Sequence, residues 1–245
     1  MMKNTKVFAH RGAAGTHPEN TMVAFQEALR VGADGVELDV HLTKDNVPVV
    51  IHDETVNRTT NGSGWIKEYY YEDLRKLDAG SWFDEEFTGC TIPSLEEVLQ
   101  WIAKTSLQIN IELKNGIVRY ENIEKIVIDL VHKYNLKDRV IISSFNHYSL
   151  VEVNKCAPEI ETAILFMEGL YKPWEYAKTI GATGLHCYLP VAVPELLEGA
   201  NIEGMPVRPF VVNEEKHIAA LVRGGCSAII TDWPKQAIKI RDNLK

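Results

Sequence analysis

The sequence predicts an α/β protein folded as a single (β/α)8 TIM-type barrel spanning residues 1–245, and three observations lead there. The chain has 245 residues, and single barrels commonly run to about 250. Short β-branched runs alternate with amphipathic segments from near the start to near the end, the pattern of strand–helix units joined into a parallel sheet. Eight such runs occur, and eight units close most naturally as a barrel, with an open doubly wound sheet as the competitor.

The predicted strands are 6–10, 35–40, 107–112, 140–145, 161–166, 184–188, 207–212 and 228–231. Between them lie helical patterns. Ile123, Ile126, Val127, Leu130, Val131 and Tyr134 are spaced for one face of a helix. Ser94 and Glu97 form a capping box just after Pro93. Gly32, Gly181 and Gly224 fall where helices should stop. Asn20 is a candidate N-cap for a helix running to about Val31, and equally a candidate to orient Arg11 or His10.

A ninth strand-like run, 47–52, follows the second strand too closely for a parallel crossover. Residues 37–52 therefore read as a β-ribbon rising past the barrel rim. With its turn centred on Asp45 and Asn46, residue 44 faces 47 and His52 falls opposite Asp39. Residues 53–92 fit no single strand–helix unit and carry Trp65, Tyr69, Tyr70, Trp82 and Phe83. They read either as an inserted subdomain over the C-terminal mouth or as a surface excursion packing its own aromatics.

A net charge of −8 argues against a nucleic-acid surface, while leaving room for a small anionic substrate met by a few local cations. Cys90, Cys156, Cys187 and Cys226 are scattered without a CxxC pair, which points to buried free thiols rather than disulfides or a zinc site. The N-terminal apolar run is too short for a signal peptide, and no stretch approaches the ~20 apolar residues of a spanning helix. The expectation is a cytoplasmic protein; nothing in the sequence speaks to its oligomeric state.

Polar residues collect at strand ends. His10 and Arg11 close the first strand, Glu37 and Asp39 lie in the second, Glu112 and Lys114 end the third, and His52 closes the ribbon. Barrel strands converge at their C-terminal ends, where active sites form. Glu37 and Asp39, two apart on a strand, point to one face about 6.6 Å apart. A divalent cation would relieve their repulsion, with Glu112 as a third ligand, and an all-carboxylate set selects Ca²⁺ or Mg²⁺ over zinc. The alternative is that these acids pair with Arg11 and Lys114 and hold no metal. Arg11 and Lys114 suit phosphoryl oxygens, and two histidines at the mouth suit acid–base work near neutral pH. His17, His41, His132, His147 and His217 read as structural; His186, in the predicted strand 184–188, is a candidate to line the pocket.

These residues also carry a resemblance. His10-Arg11-Gly12, Pro18-Glu19-Asn20-Thr21, Glu37-Leu38-Asp39-Val40 and His52-Asp53 resemble the signature of glycerophosphodiester phosphodiesterases. Glu112-Leu113-Lys114, Ser143-Ser144-Phe145, Val211-Val212-Asn213 and Thr231-Asp232-Trp233-Pro234 are similar to its later motifs, in the same order along nearly the whole chain. Arg208-Pro209-Phe210 departs from it, standing near where many members carry a tryptophan–threonine pair. The resemblance implies a phosphatidylinositol-phospholipase-C-like barrel that hydrolyses glycerophosphodiesters, such as glycerophosphocholine or glycerophosphoethanolamine, to sn-glycerol 3-phosphate and an alcohol. It further implies that Glu37, Asp39 and Glu112 hold one Ca²⁺ or Mg²⁺, that His10 and His52 exchange protons, and that Arg11 and Lys114 hold the phosphate. Glu19, Asn20, Phe145, His186 and Trp233 remain as candidates for support or pocket lining. The rival readings are lysophospholipase D-type cleavage, which an apolar groove beside the mouth would favour, and a phosphate-ligand sensor without catalysis, against which both histidines and all three acids count.

Overall fold

The computed structural model describes residues 5–244. Strands and helices alternate as β1 (Lys6–Ala9), α1 (Met22–Arg30), β2 (Gly35–Leu42), β3 (Pro48–Val50), α2 (Tyr71–Leu74), α3 (Leu95–Ile102), β4 (Gln108–Leu113), α4 (Ile123–Lys133), β5 (Val140–Ser144), α5 (His147–Cys156), β6 (Glu161–Phe166), α6 (Pro173–Thr179), β7 (Gly184–Cys187), α7 (Pro194–Ile202), α8 (Glu215–Arg223), β8 (Ala228–Thr231) and α9 (Pro234–Asp242). The parallel path runs β7-β6-β5-β4-β2-β1-β8, with β3 antiparallel on β2.

Closure between β7 and β8 falls to residues 206–212, within which the sequence predicted a full strand over 207–212. Instead the segment makes isolated parallel bridges, Leu185 to Val207 and Tyr188 to Phe210. Arg208 N and Phe210 N donate to Leu185 O and Cys187 O on one side, and Val212 N donates to Ile230 O on the other. The alternate donor that parity would aim at β8 belongs to Pro209, which has no N–H, so the ladder loses that rung, although Pro209 O still accepts from Ile230 N. The curled sheet is the expected α/β barrel with this one irregular wall.

Strand parity decides which side chains line the interior. Val7, Val36, Leu38, Val40, Ile109, Ile111 and Ile142 belong to the main apolar cluster, together with Phe25, Leu95, Leu99, Val127 and Val131 of the surrounding helices. The intervening residues point inward, as strand geometry requires. A separate cluster of Phe8, Ile141, Ala163, Ala228 and Ile230 fills the lower interior. Gly35 is needed there, since a Cβ would lie 2.6 Å from the Phe8 ring.

The ribbon forms, but with a register one residue from the expected one. Val40 pairs with Val50 and Leu42 with Pro48, and Ile51 N, not residue 52, donates to Asp39 O. The loop is three residues long between Thr43 and Val47: Asn46 N donates to Thr43 O, and Asn46 takes the left-handed conformation at φ 59°, the usual build of a three-residue hairpin loop. Thr43 Oγ1 fixes it by accepting from Val47 N.

Residues beyond the ribbon gather their own apolar cluster, with Val49, Ile51, Val56, Ile66, Leu74, Ala79 and Ile92 buried. The Ser94–Glu97 capping box opens α3 as expected. Helix α1 is capped by Thr21, not Asn20, because Thr21 accepts from Ala24 N. After α8 the left-handed residue is Gly225, at φ 71°, one later than the predicted stop. The four cysteines are free, but only Cys187 and Cys226 are buried; Cys156 is exposed and Cys90 half-buried. Among the described residues, no helix is long and apolar enough to cross a membrane.

Candidate active site

At the C-terminal end of β2 and β4, the registers place Asp39 beside Glu112 and Glu37 beside Asn110. Parity turns Glu37, Asp39 and Glu112 into the barrel, where one oxygen from each lies within 4.8 Å of the others. All three are buried. Two cations reach them: Lys114 Nζ lies 3.0 Å from Glu112 Oε1 and 3.7 Å from Asp39 Oδ1, and Arg11 Nε lies 3.4 Å from Asp39 Oδ2. The Arg11 amide donates to Glu37 Oε2 at 3.0 Å, and Asn20 Nδ2 donates to Asp39 Oδ2 at 2.9 Å. Asn20 thus orients an acid of the cluster rather than capping a helix.

Three carboxylates against two cations leave the cluster short of positive charge. Burial pushes the Glu37 carboxyl well above its ordinary range, and the neighbouring Asp39 and Glu112 push it further. Burial likewise raises Glu112, reinforced by Asp39. For Asp39, burial acts upward, but Arg11 and Lys114 overcome it and hold this carboxyl well below its usual value. Arg11 Nε and Asn20 Oδ1 are buried without a hydrogen-bond partner. This frustrated, all-oxygen set fits a hard divalent cation, which would return Glu37 and Glu112 to the ionised form.

Each histidine has a carboxylate behind it. His10 Nδ1 lies 2.7 Å from Asp232 Oδ1. Asp232 is held in turn by Asn213 Nδ2 at 2.6 Å, and Asn213 Oδ1 accepts from the Asp232 amide and Thr231 Oγ1, both at 3.0 Å. His52 Nδ1 lies 2.7 Å from Asp53 Oδ1, and its Nε2 lies 3.2 Å from Lys114 Nζ. A carboxylate accepts, so Nδ1 carries the proton in both rings and Nε2 is left for chemistry. His41 supports the second ring from below: its imidazole bridges the His52 carbonyl at 3.0 Å and Tyr120 Oη at 2.9 Å.

The backbone bends sharply to deliver these groups. Arg11 and Asn20 both take positive φ, 51° and 56°, and the Asn20 amide donates to Arg11 O. Gly12 follows at φ 82° with no room for a Cβ, which would sit 2.7 Å from Ala24. Glu19 accepts from Arg11 Nη1 at 2.8 Å. A cleft of about 410 Å³ is lined by His10, Arg11, Ala14, Gly15, Glu19, Asp232 and Trp233.

Of the pocket candidates, Trp233 and Phe145 are exposed, and Phe145 packs edge-on against Phe210. His186 does not line a pocket. It is fully buried, and its Nε2 lies 3.3 Å from Arg208 Nη1; burial, aided by Arg208, drives its pKa far down. Arg208 crosses over Gly184 to Glu161 at 2.6 Å, so the departure at 208–210 builds an internal ion pair. The groups that sequence reasoning did not assign are Asp232, Asn213, Asp53 and Arg58, whose guanidinium donates to both Asp53 and Glu19. Asp53 had a signal, a carboxylate directly after His52; the others meet their partners only through the fold.

A sequence model of the glycerophosphoryl diester phosphodiesterase family matches residues 10–236. The chain is 48% identical over 244 residues to a glycerophosphodiester phosphodiesterase of Bacillus altitudinis, covering 98% of this chain and 100% of that one. It is 46% identical to one from Caldanaerobacter subterraneus subsp. tengcongensis, covering 96% and 97%. A solved phosphodiesterase from Oleispira antarctica, in complex with the product sn-glycerol-3-phosphate, superposes with a TM-score of 0.91 at 30% identity, covering 97% of this chain and 96% of that one. The chain belongs to the glycerophosphoryl diester phosphodiesterase family.

Proposed function

We propose that this protein is a metal-dependent phosphodiesterase that hydrolyses glycerophosphodiesters to sn-glycerol 3-phosphate and an alcohol, with the whole chain as one catalytic domain and residues 53–92 as its insertion. The observation that carries this reading is the buried acid cluster of Glu37, Asp39 and Glu112, with Arg11, Lys114 and a carboxylate-backed imidazole at its edge. The product named for the Oleispira antarctica neighbour supports the same chemistry.

In this reading Glu37, Asp39 and Glu112 hold one Ca²⁺ or Mg²⁺, and the bound ion supplies charge stabilisation to a phosphoryl oxygen. Arg11 and Lys114 bind the remaining phosphoryl oxygens, the first through a forked guanidinium and the second as a compact charge. They are aimed where negative charge grows as the ester bond breaks. One of His10 and His52 accepts the proton of the attacking hydroxyl through Nε2 as the new oxygen–phosphorus bond forms. The other, entering the step as the doubly protonated imidazolium, gives its Nε2 proton to the departing alcohol oxygen as the old bond breaks. Asp232 and Asp53 keep each ring in the required orientation and stabilise it when charged. The attacking hydroxyl is either water or the glycerol hydroxyl next to the phosphate; the second route passes through a cyclic phosphate that ³¹P NMR would detect.

The test is hydrolysis of glycerophosphocholine and a lysophosphatidylcholine side by side, after EDTA treatment and again with Ca²⁺ or Mg²⁺ restored. Release of sn-glycerol 3-phosphate from the first substrate, lost with EDTA and recovered with cation, is the expected result. Full turnover in EDTA would remove the metal from the scheme, and preferential cleavage of the lysolipid would replace the substrate class.

A further inference from the structure

Arg58, from the 53–92 insertion, holds two carboxylates that each hold a different group of the site. Its Nε and Nη2 donate to Asp53 at 2.8 and 3.0 Å. Its Nη1 and Nη2 donate to Glu19, both at 2.8 Å. Glu19 Oε1 also accepts from Arg11 Nη1, and Asp53 Oδ1 is the partner of His52 Nδ1. One atom, Arg58 Nη2, therefore touches both the oxygen that holds Arg11 and the oxygen that holds His52.

We propose that Arg58 is a positioning residue for the phosphodiesterase reaction, fixing Arg11 and the His52 imidazole relative to each other through Glu19 and Asp53. The inference rests on the roles given above to Arg11 and His52. Those two groups come from different elements, the end of β1 and the end of the ribbon, so their relative placement needs a link beyond the strands. A guanidinium supplies it because five donors in one rigid plane can serve two carboxylates at once; a lysine ammonium offers a single point of charge. Without the clasp, Glu19 and Asp53 face each other as like charges, and each is free to turn away from the group it holds.

Fold stabilisation alone is a weak account of this arrangement. The Arg58 side chain is 43% exposed, so solvent screening limits what its pairs contribute to stability, although the doubly bonded network contributes more than an isolated surface pair would. A structural role predicts a small loss in melting temperature and normal turnover by the folded protein.

The experiment compares wild type, R58M, R58K and R58A by steady-state kinetics, thermal unfolding and the NMR signal of the His52 Nδ1 proton. In R58M, kcat should fall roughly 10- to 100-fold, the usual effect of losing a group that orients a site ligand, with KM rising and the melting temperature changing little. R58K should be nearly as impaired, sub-denaturing guanidinium should partly restore kcat in R58A, and the His52 Nδ1 proton should broaden in R58M. Wild-type kcat and KM in R58M, or full function in R58K, would overturn the proposal. So would a loss of activity that only tracks the unfolded fraction. A wild type that hydrolyses no glycerophosphodiester, with the His52 proton still lost in R58M, would sink the functional reading and leave the clasp standing.

Discussion

His10 and His52 are turned the same way, each with Nδ1 against a carboxylate at 2.7 Å. That arrangement fixes the tautomer and leaves Nε2 as the atom through which the proposed proton exchange would run. His10→Ala and His52→Ala should each lower kcat by roughly 10²–10⁴-fold, the usual contribution of a general acid or base. Circular dichroism and melting temperature should stay near wild type, because neither ring belongs to an apolar cluster. Wild-type turnover in either variant would remove that ring from the chemistry. His10, Arg11, Glu37, Asp39, His52, Glu112 and Lys114 were legible in the sequence because polar residues at the ends of apolar strands have few structural uses. Asp232 was not legible as the partner of His10, since 222 residues separate them and only the β1–β8 pairing brings them together. Arg58 was hidden for a similar reason: nothing local to it shows that two carboxylates converge there.

Strand β2 shows how much an element's pattern reveals and where it stops. Its alternation places Glu37 and Asp39 on one face whatever β2 pairs with. The ribbon register depends instead on one loop residue, Asn46 in a left-handed conformation, and on the Thr43 hydroxyl, which polarity patterning does not encode. After Ile51, whose amide still bonds Asp39 O, the chain leaves the ladder, so the one-residue difference in register does not carry His52 to the wrong face. His41 secures that departure by holding the His52 carbonyl. Burial lowers the His41 pKa from 6.5 to about 4, so the folded state keeps the ring neutral. Its contribution is fully present above the unfolded value and is lost as pH falls from about 6.5 toward 4, where the unfolded chain takes up a proton that the folded one refuses. The loss is on the order of 3 kcal/mol at most. Urea midpoints at neutral and mildly acid pH should show wild type weakening more than His41→Asn; equal slopes would assign the acid sensitivity elsewhere.

For the whole molecule, the periodicity of eight strand candidates was enough to place the barrel, because outward-facing apolar residues and helix faces recur throughout. The balance of charge at its mouth has a consequence for the entire fold. A cation that relieves the frustration of Glu37 binds the folded state and not the unfolded chain, so it stabilises by mass action. At about 100 times its dissociation constant the gain is about 2.7 kcal/mol, or roughly 5–10 °C in melting temperature for a chain of this size. Calorimetry of EDTA-treated protein with and without Ca²⁺ or Mg²⁺ measures it, and an unchanged transition would argue against a bound ion.

The interrupted wall at residues 206–212 bears on how the cylinder breathes. A closed sheet has no free edge except where its rungs are missing, and here Pro209 removes one. Opening should begin along that line, as a cylinder splits at its seam. Amide hydrogen exchange at Val212 and Ile230, whose bonds cross that line, should then outpace exchange at Ile111 and Ile142, on the opposite and fully laddered staves. A permutant whose new termini fall beside the seam should tolerate the cut better than one opened between β4 and β5, since one rung is already missing there.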